Sequence, residues 1–323
     1  MQIAPMEFAE VQKFRFNADV QASDGAAGKV VSVVADPGRR AVTHVGVRVG
    51  ALFGKTYYVP LNLTSAADDN TVTVSVPLDD ITKLTGKPSG TELTGGTHVS
   101  AGGKSLGHLV QLTINRETQV LRHLVVDRLG REHLVNAAMI TDLTPRQIIV
   151  DLGGLQPGQL TPYRSDADLR QAVYDTLYDY YRLRIDLPGI EVHAIDGVVW
   201  LRGHVSSDVN RRIVEDLLQG LPGMSELHNE LFADNQLAAA VSLAIAHDPR
   251  TASQRIGVYP RLGAVSLRGV VQTPMASAAA VEIARTIPGV KDVLNELRIN
   301  PRLTTLPDLA AVTNREDMVP GGT

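Results

Sequence analysis

The spacing of apolar and polar residues changes character near residue 165. Before it, short runs such as "VVSVVAD", "TVTVSV" and "HLVVD" alternate over a few positions and break at Asp, Gly, Pro or Arg. That is the pattern of half-buried strands joined by tight turns. After it, strand-like runs are interleaved with stretches of helical period. "DLRQAVYDTLYDYY" and "QLAAAVSLAIAHD" each precede two short strands, and "DVNRRIVEDLLQG" and "MASAAAVEIART" each precede a third. The predicted fold is multidomain: all-β small barrels in the N-terminal half and α+β αββαβ sandwiches in the C-terminal half.

Both halves are internally repeated. At an offset of 79, Gly28 falls on Gly107, His44 on His123 and Val47 on Val126. After a shortening in the turn around "GALFGK" the offset becomes 76, aligning Val59 with Val135, Val72 with Ile148 and Val74 with Val150. In the second half one offset of 66 superposes Leu201 on Leu267, Arg202 on Arg268, Gly203 on Gly269, Pro222 on Pro288 and Asn229 on Asn295. The divisions expected are 1–84 and 97–152 for the barrels, 166–233 and 234–300 for the sandwiches, and a loosely ordered tail over 301–323. "TGKPSGTELTGG" (85–96) and "GGLQPGQLTPYRS" (153–165) read as linkers.

Through "DGAAGKVVSVVADP", "HVGVRV" and "YYVPL" the first pair resembles PRC-barrel domains. Its second copy departs from the pattern, with Val-Asn in place of Val59-Pro60 and no Asp-Gly. Through "DGVVWLRGHV", "PGMSELHNEL", "LGAVSLRGVV" and "PGVKDVLNEL" the second pair resembles BON domains. The first resemblance implies an adaptor. The second implies binding to membranes or envelope components, in some members to potassium. Neither supplies a catalytic residue.

Composition narrows the classes. The chain of 323 residues has no cysteine, so disulfides, thiolate metal sites and thiol nucleophiles are excluded. A formal charge of −4 argues against a broad electrostatic grip on nucleic acid. The first residues show neither a basic n-region nor an apolar core, and no apolar run approaches the roughly 18 residues of a membrane span. A cytoplasmic location, peripheral to a membrane if attached to one, is the expectation.

"GGTHVSAGGKSLGHLV" (95–110) contains the Gly-Lys-Ser of a phosphate-binding loop. Such a loop needs glycine five positions before Gly103, where His98 stands, and a helix afterwards. A strand follows instead, and the segment aligns on "SDGAAGKVV" of the first repeat, so Lys104 and Ser105 read as turn residues. His44 and His123 share a repeat position and read as packing or hydrogen-bonding residues rather than metal ligands.

Strand alternation sorts the sandwich residues by face. Val192, Val199, Leu201, Val205, Leu227 and Leu231, with their counterparts Val258, Val265, Leu267, Val271, Val293 and Leu297, should face the helices. The open face of the first copy then carries His193, Trp200, Arg202, His204, His228 and Glu230; that of the second carries Tyr259, Ser266, Arg268, Val270 and Leu294. Trp200, Arg202, His204, Tyr259, Arg268, Val270 and Leu294 are the candidate partner contacts, because aromatic residues and arginine anchor interfaces and an apolar face needs a cover. On the helix at 169–181, Leu169, Val173, Leu177 and Tyr180 form a core stripe, and Tyr174, Tyr178 and Tyr181 a second that reads as a buried flank or domain contact rather than a ligand site.

Charge is unevenly shared. Residues 166–234 hold 6 Arg against 13 Asp or Glu, a net of −7, whereas 235–300 hold 7 Lys or Arg against 4 acids, a net of +3. The copies could dock within one chain or head to tail between chains, and the second is the better match for anionic lipid. The expected function is a non-enzymatic scaffold or adaptor that binds a cell-envelope, lipid or protein partner through its sheet faces and can self-associate. No catalytic residue, cofactor or metal is assigned. One alternative is an RNA- or ribosome-associated factor acting through the barrels, where residues 85–165 carry +2 from 8 basic and 6 acidic residues. Another is an ion-responsive sensor using Asp196 or Asp208.

Overall fold

A computed structural model describes residues 11–50 and 54–302. The described residues are mostly β, with five α-helices. Part of the "GALFGK" turn, and the expected tail from residue 303 onward, lie outside the described residues.

The first repeat contains β2 (Asp19–Ala22), β3 (Gly25–Asp36), β4 (Ala41–Val49), β5 (Lys55–Pro60), β6 (Thr64–Ala67) and β7 (Thr71–Val74) in the order β5-β4-β3-β2-β7-β6. The second contains β9 (His98–Ala101), β10 (Lys104–Asn115), β11 (Leu121–Arg128), β12 (Arg131–Asn136), β13 (Ile140–Leu143) and β14 (Gln147–Val150) in the matching order β12-β11-β10-β9-β14-β13. Each repeat has one strand of 12 residues, β3 or β10, paired along part of one edge by a neighbour of only 4 residues, β2 or β9. The rest of that edge would present unpaired N–H and C=O groups.

That edge is covered by reciprocal exchange. The strand preceding the first repeat, β1 (Val11–Arg15), pairs with β10 at Gln111–Asn115, and β8 (Thr91–Thr94), inside the segment expected to be a linker, pairs with β3 at Ser32–Ala35. The pairs Phe14–Leu112 and Leu93–Val33 are equivalent under the offset of 79, and all four side chains are buried. Ala41 forms a bridge with its own repeat equivalent, Val120, as residues beside a two-fold axis must. One continuous apolar core therefore serves both barrel-like modules. Gly28 (φ +149) and Gly107 (φ +122) are obligatory. A Cβ there would lie 2.0 Å from the Arg48 carbonyl oxygen and 1.9 Å from that of Asp127, respectively.

In the second half, β15 (Ile190–Ile195), β16 (Val198–Val205) and β17 (Glu226–Ala233) form one sheet, covered by α2 (Asp166–Asp179) and α3 (Asp208–Leu218). Its copy is β18 (Arg255–Arg261), β19 (Ala264–Val271) and β20 (Asp292–Ile299) with α4 (Asp234–His247) and α5 (Pro274–Thr286). The second and third strands are parallel in each, so a helix must cross between them. Ser207 and Thr273, at equivalent positions, cap α3 and α5 through the N–H groups of Asn210 and Ala276. Val199, Leu201, Val205, Val265, Leu267 and Val271 are buried beneath the helices, the face that alternation assigns them.

Candidate functional site

The outward faces of the two sheets are built from rows of paired residues. On the first, His193, Trp200 and His228 share one row, and Glu191, Arg202 and Glu230 the next. The Trp200 and His228 rings stack, with centroids 5.3 Å apart and planes within 10°. Arg202 Nε donates to Glu230 at 2.9 Å. On the second sheet the corresponding rows are Tyr259, Ser266 and Leu294, then Gly257, Arg268 and Glu296, then Arg255, Val270 and Arg298. Tyr259 and Leu294 are each 55% exposed. The Arg268 guanidinium lies 5.4 Å from the Tyr259 ring centroid and is paired with Glu296. Among the expected contacts, Tyr259, Arg268 and Leu294 are exposed on neighbouring rows of one face; Trp200 and Arg202 are half-buried on the other sheet, and Val270 is half-buried in the row beyond Arg268.

His204 lies elsewhere in function. It has the outward parity that alternation assigns, but it sits at the end of β16, where the second sandwich covers it, and is 3% exposed. Its Nε2 donates to the Gly289 carbonyl at 2.5 Å, and its ring stacks on Phe232 at 5.6 Å. The turn Leu262–Gly263 of the second sandwich docks here: a Cβ on Gly263 would be 2.5 Å from His204 Nε2, and one on Gly189 2.9 Å from a Leu262 methyl. Burial holds the His204 pKa below 6.5 despite the Gly289 hydrogen bond. The inter-sandwich contact thus packs glycines, leucine, histidine and phenylalanine together, and Asp208 adds polar links, donating its N–H to Asn235 and accepting from Gln236, each at 2.9 Å. Tyr178 and Tyr181 also depart from expectation: both are exposed. Helix α2 ends at Asp179, so Tyr181 leaves the helical stripe. Arg184 and Arg182 pack on the two rings at 4.6 Å and 5.7 Å.

Lys104 and Ser105 open β10 after the Gly102–Gly103 turn, and His98 Nε2 lies 2.7 Å from Ser105 Oγ. His44 contacts Thr43 Oγ1 at 3.0 Å, and burial lowers its pKa. His123 meets Asp196 Oδ2 at 3.2 Å.

That last contact belongs to a buried junction that strand patterning does not reveal. Lys13 on β1 is 3% exposed, and its Nζ lies 2.7 Å from Asp166, 3.4 Å from Asp196 and 3.5 Å from Asp69. Thr113 donates to Asp196 Oδ1 at 3.2 Å, and the Asp196 N–H donates to Asp166 at 2.9 Å. Gln111 donates to Asp69 at 3.0 Å, and Tyr163 donates its hydroxyl hydrogen to the same carboxylate. The exchanged strand, both barrel-like modules and the first sandwich all meet at this point. Desolvation pulls the Lys13 pKa down, but Asp196, Asp166 and Asp69 outweigh it and raise it above 10.5. Desolvation pushes Asp196 up, yet His123 and Lys13 hold it below 3.8. For Asp166, desolvation prevails over Lys13, and its pKa is raised. The signals were a lone lysine in "VQKFRF" and an Asp at a positive-φ turn (Asp196, φ 49).

Two tandem αββαβ modules, each with a helix-covered and an open sheet face, make up the C-terminal half. The BON domain family model matches residues 165–231 and 233–301, one match per module. Similar solved structures include CdsD, a structural protein of the type III secretion system of Chlamydia trachomatis, at 14% identity and a TM-score of 0.35. That match covers 41% of this chain and 61% of that one. The C-terminal domain of CdsD matches at 10% identity and a TM-score of 0.23, over 43% of this chain and all of that one. No curated protein matches.

Proposed function

We propose that this protein is a non-enzymatic adaptor that uses the open sheet face of its second BON-like module to hold a partner surface carrying negative charge. The observation that carries this reading is the exposed group of Tyr259, Leu294 and Arg268. An aromatic ring, an aliphatic side chain and a guanidinium make up the composition favoured at interface anchors. Arg255, Arg261 and Arg298, all exposed, lie on the same face, so an anionic lipid or acidic protein surface is the matching partner class. Trp200 and Arg202 form a second, smaller contact on the first module. The N-terminal pair is read as PRC-barrel-like modules that supply a rigid platform, and the protein is read as cytoplasmic and peripheral to the membrane. No described helix is long and apolar enough to cross a membrane.

The test is sedimentation of the full chain with phosphatidylcholine vesicles containing or lacking phosphatidylglycerol. The wild type and Tyr259→Ser/Arg268→Glu/Leu294→Ser are compared. Binding that needs the anionic lipid and disappears in the variant supports the lipid form of this reading. Binding that the variant retains overturns the choice of face, and a wild type that ignores both vesicles removes the lipid and leaves an acidic protein as the partner.

A further inference from the structure

Among the described residues, three two-residue hairpin turns place a non-glycine residue before a glycine with both φ angles positive: Asp196–Gly197 (49°, 80°), Leu262–Gly263 (47°, 85°) and Leu129–Gly130 (56°, 78°). Each joins two antiparallel strands as a hairpin tip. Two of them are docking knobs within the chain. Asp196–Gly197 is buried against the second barrel-like module, and Leu262–Gly263 against the first sandwich. The third has no such seat. Leu129 is 96% exposed, the most exposed of the large apolar residues described, and nothing lies within 4 Å of a Cβ placed on Gly130.

A leucine with positive φ is costly, because its Cβ crowds the backbone; glycine or asparagine would fill the position with less strain. At Leu262 packing into the next module offsets the cost. At Leu129 nothing among the described residues does. The local sequence is also shared: Arg128–Leu129–Gly130 and Arg261–Leu262–Gly263 are the same three residues in the same kind of turn.

The molecule also carries a seat of matching chemistry. A cleft of about 300 Å³ on the first sandwich is floored by Met224 and Leu227 and rimmed by Glu215, Asp216 and Glu226. The free knob presents one leucine between Arg128 and Arg131. We infer that the Arg128–Arg131 hairpin tip of one copy inserts into this acidic cleft of a second copy, with Leu129 on Met224 and Leu227 and the arginines against the carboxylates. Two copies exchanging knobs reciprocally close a two-fold dimer and leave no seat open. The open face of the second sandwich takes no part, so this inference stands apart from the principal contact of the adaptor reading; of the first sandwich's open face only Glu226, paired with His228 at 3.0 Å, lies on the rim of the cleft.

The experiment is light scattering and sedimentation velocity of the full chain across a range of concentrations, paired with thermal melts. The wild type is expected to be a reversible dimer that weakens with salt. Leu129→Gly removes the knob and relieves the strain together, so at a dilution where both proteins are monomeric it should melt no lower than the wild type, yet it should dimerise at least about tenfold more weakly. Arg128→Glu/Arg131→Glu and Glu215→Lys/Asp216→Lys should each be monomeric alone and dimerise when mixed, since each supplies the charge the other needs. A monomeric wild type overturns the proposal. So does a dimer that Leu129→Gly leaves intact, a Leu129→Gly monomer that melts lower than the wild-type monomer at the same dilution, or a charge-reversed pair that stays monomeric on mixing.

Discussion

Replacing Lys13 with methionine tests whether the buried junction holds the chain together. The substitution keeps most of the side-chain volume and removes the charge. Lys13 Nζ lies 2.7, 3.4 and 3.5 Å from three carboxylates, two of them largely buried and Asp166 a quarter exposed. With an effective dielectric near 20, each contact supplies gross attraction of about 5–6 kcal/mol. Desolvation of the four groups and repulsion among the carboxylates cancel most of it, and breaking a buried pair by deleting one partner costs about 3–5 kcal/mol. Lys13→Met should therefore lose about that much in urea unfolding. Because the junction joins the exchanged strand to the first sandwich, the barrels and sandwiches should also unfold in separate steps in the variant. Adding Asp166→Asn, which removes one of the stranded charges, should recover part of the loss. The alkaline limb gives a second check. The Lys13 pKa is raised, so its contribution is complete below 10.5 and is lost as pH rises through the higher folded value. The wild type should have this alkaline transition and the variant should lack it. A loss below about 1 kcal/mol would falsify the claim that Lys13 is the structural centre of the interface.

Other features give their own tests. The His204 pKa is lowered, so its contribution is complete above pH 6.5 and is lost as pH falls below it; the contact between the sandwiches should loosen there, seen as a lower melting temperature of the C-terminal half, and His204→Gln should abolish that dependence. Gly28→Ala and Gly107→Ala should each destabilise by more than about 1 kcal/mol in denaturant titrations, and by similar amounts, because each forces a methyl into the same backbone carbonyl of its repeat. Ser207→Ala and Thr273→Ala should each cost about 1 kcal/mol by the same measurement, through the lost cap of α3 or α5.

Repeats and faces were legible because they rest on local chemistry. Gly28 and Gly107 mark the same close approach in both copies, and the alternation around Leu201 and Leu267 assigns helix-facing residues directly. The exchange of β1 and β8 was hidden for a physical reason: "VQKFR" and "TELT" share little beyond one apolar position, Phe14 or Leu93, and Gly, Thr and Ser around β8 give it the composition of a linker. Lys13 was hidden because a lysine in an alternating strand normally reaches water; only the arrival of Asp166 and Asp196 from distant sequence makes it interior. His204 shows the converse. Its parity was right, but parity cannot report which end of a strand another module will cover.

The reciprocal loan of β1 and β8 also says what the N-terminal half would be without its fusion. A single copy of that repeat could complete the edge of its long strand only with a strand from another molecule, and would fold no better than its concentration allowed. With both copies on one chain, the meeting becomes intramolecular and independent of dilution. The same arrangement makes a cut between the copies the worst place to divide the protein. Each fragment would carry away the strand its sibling needs and expose a bare edge to every other fragment in solution.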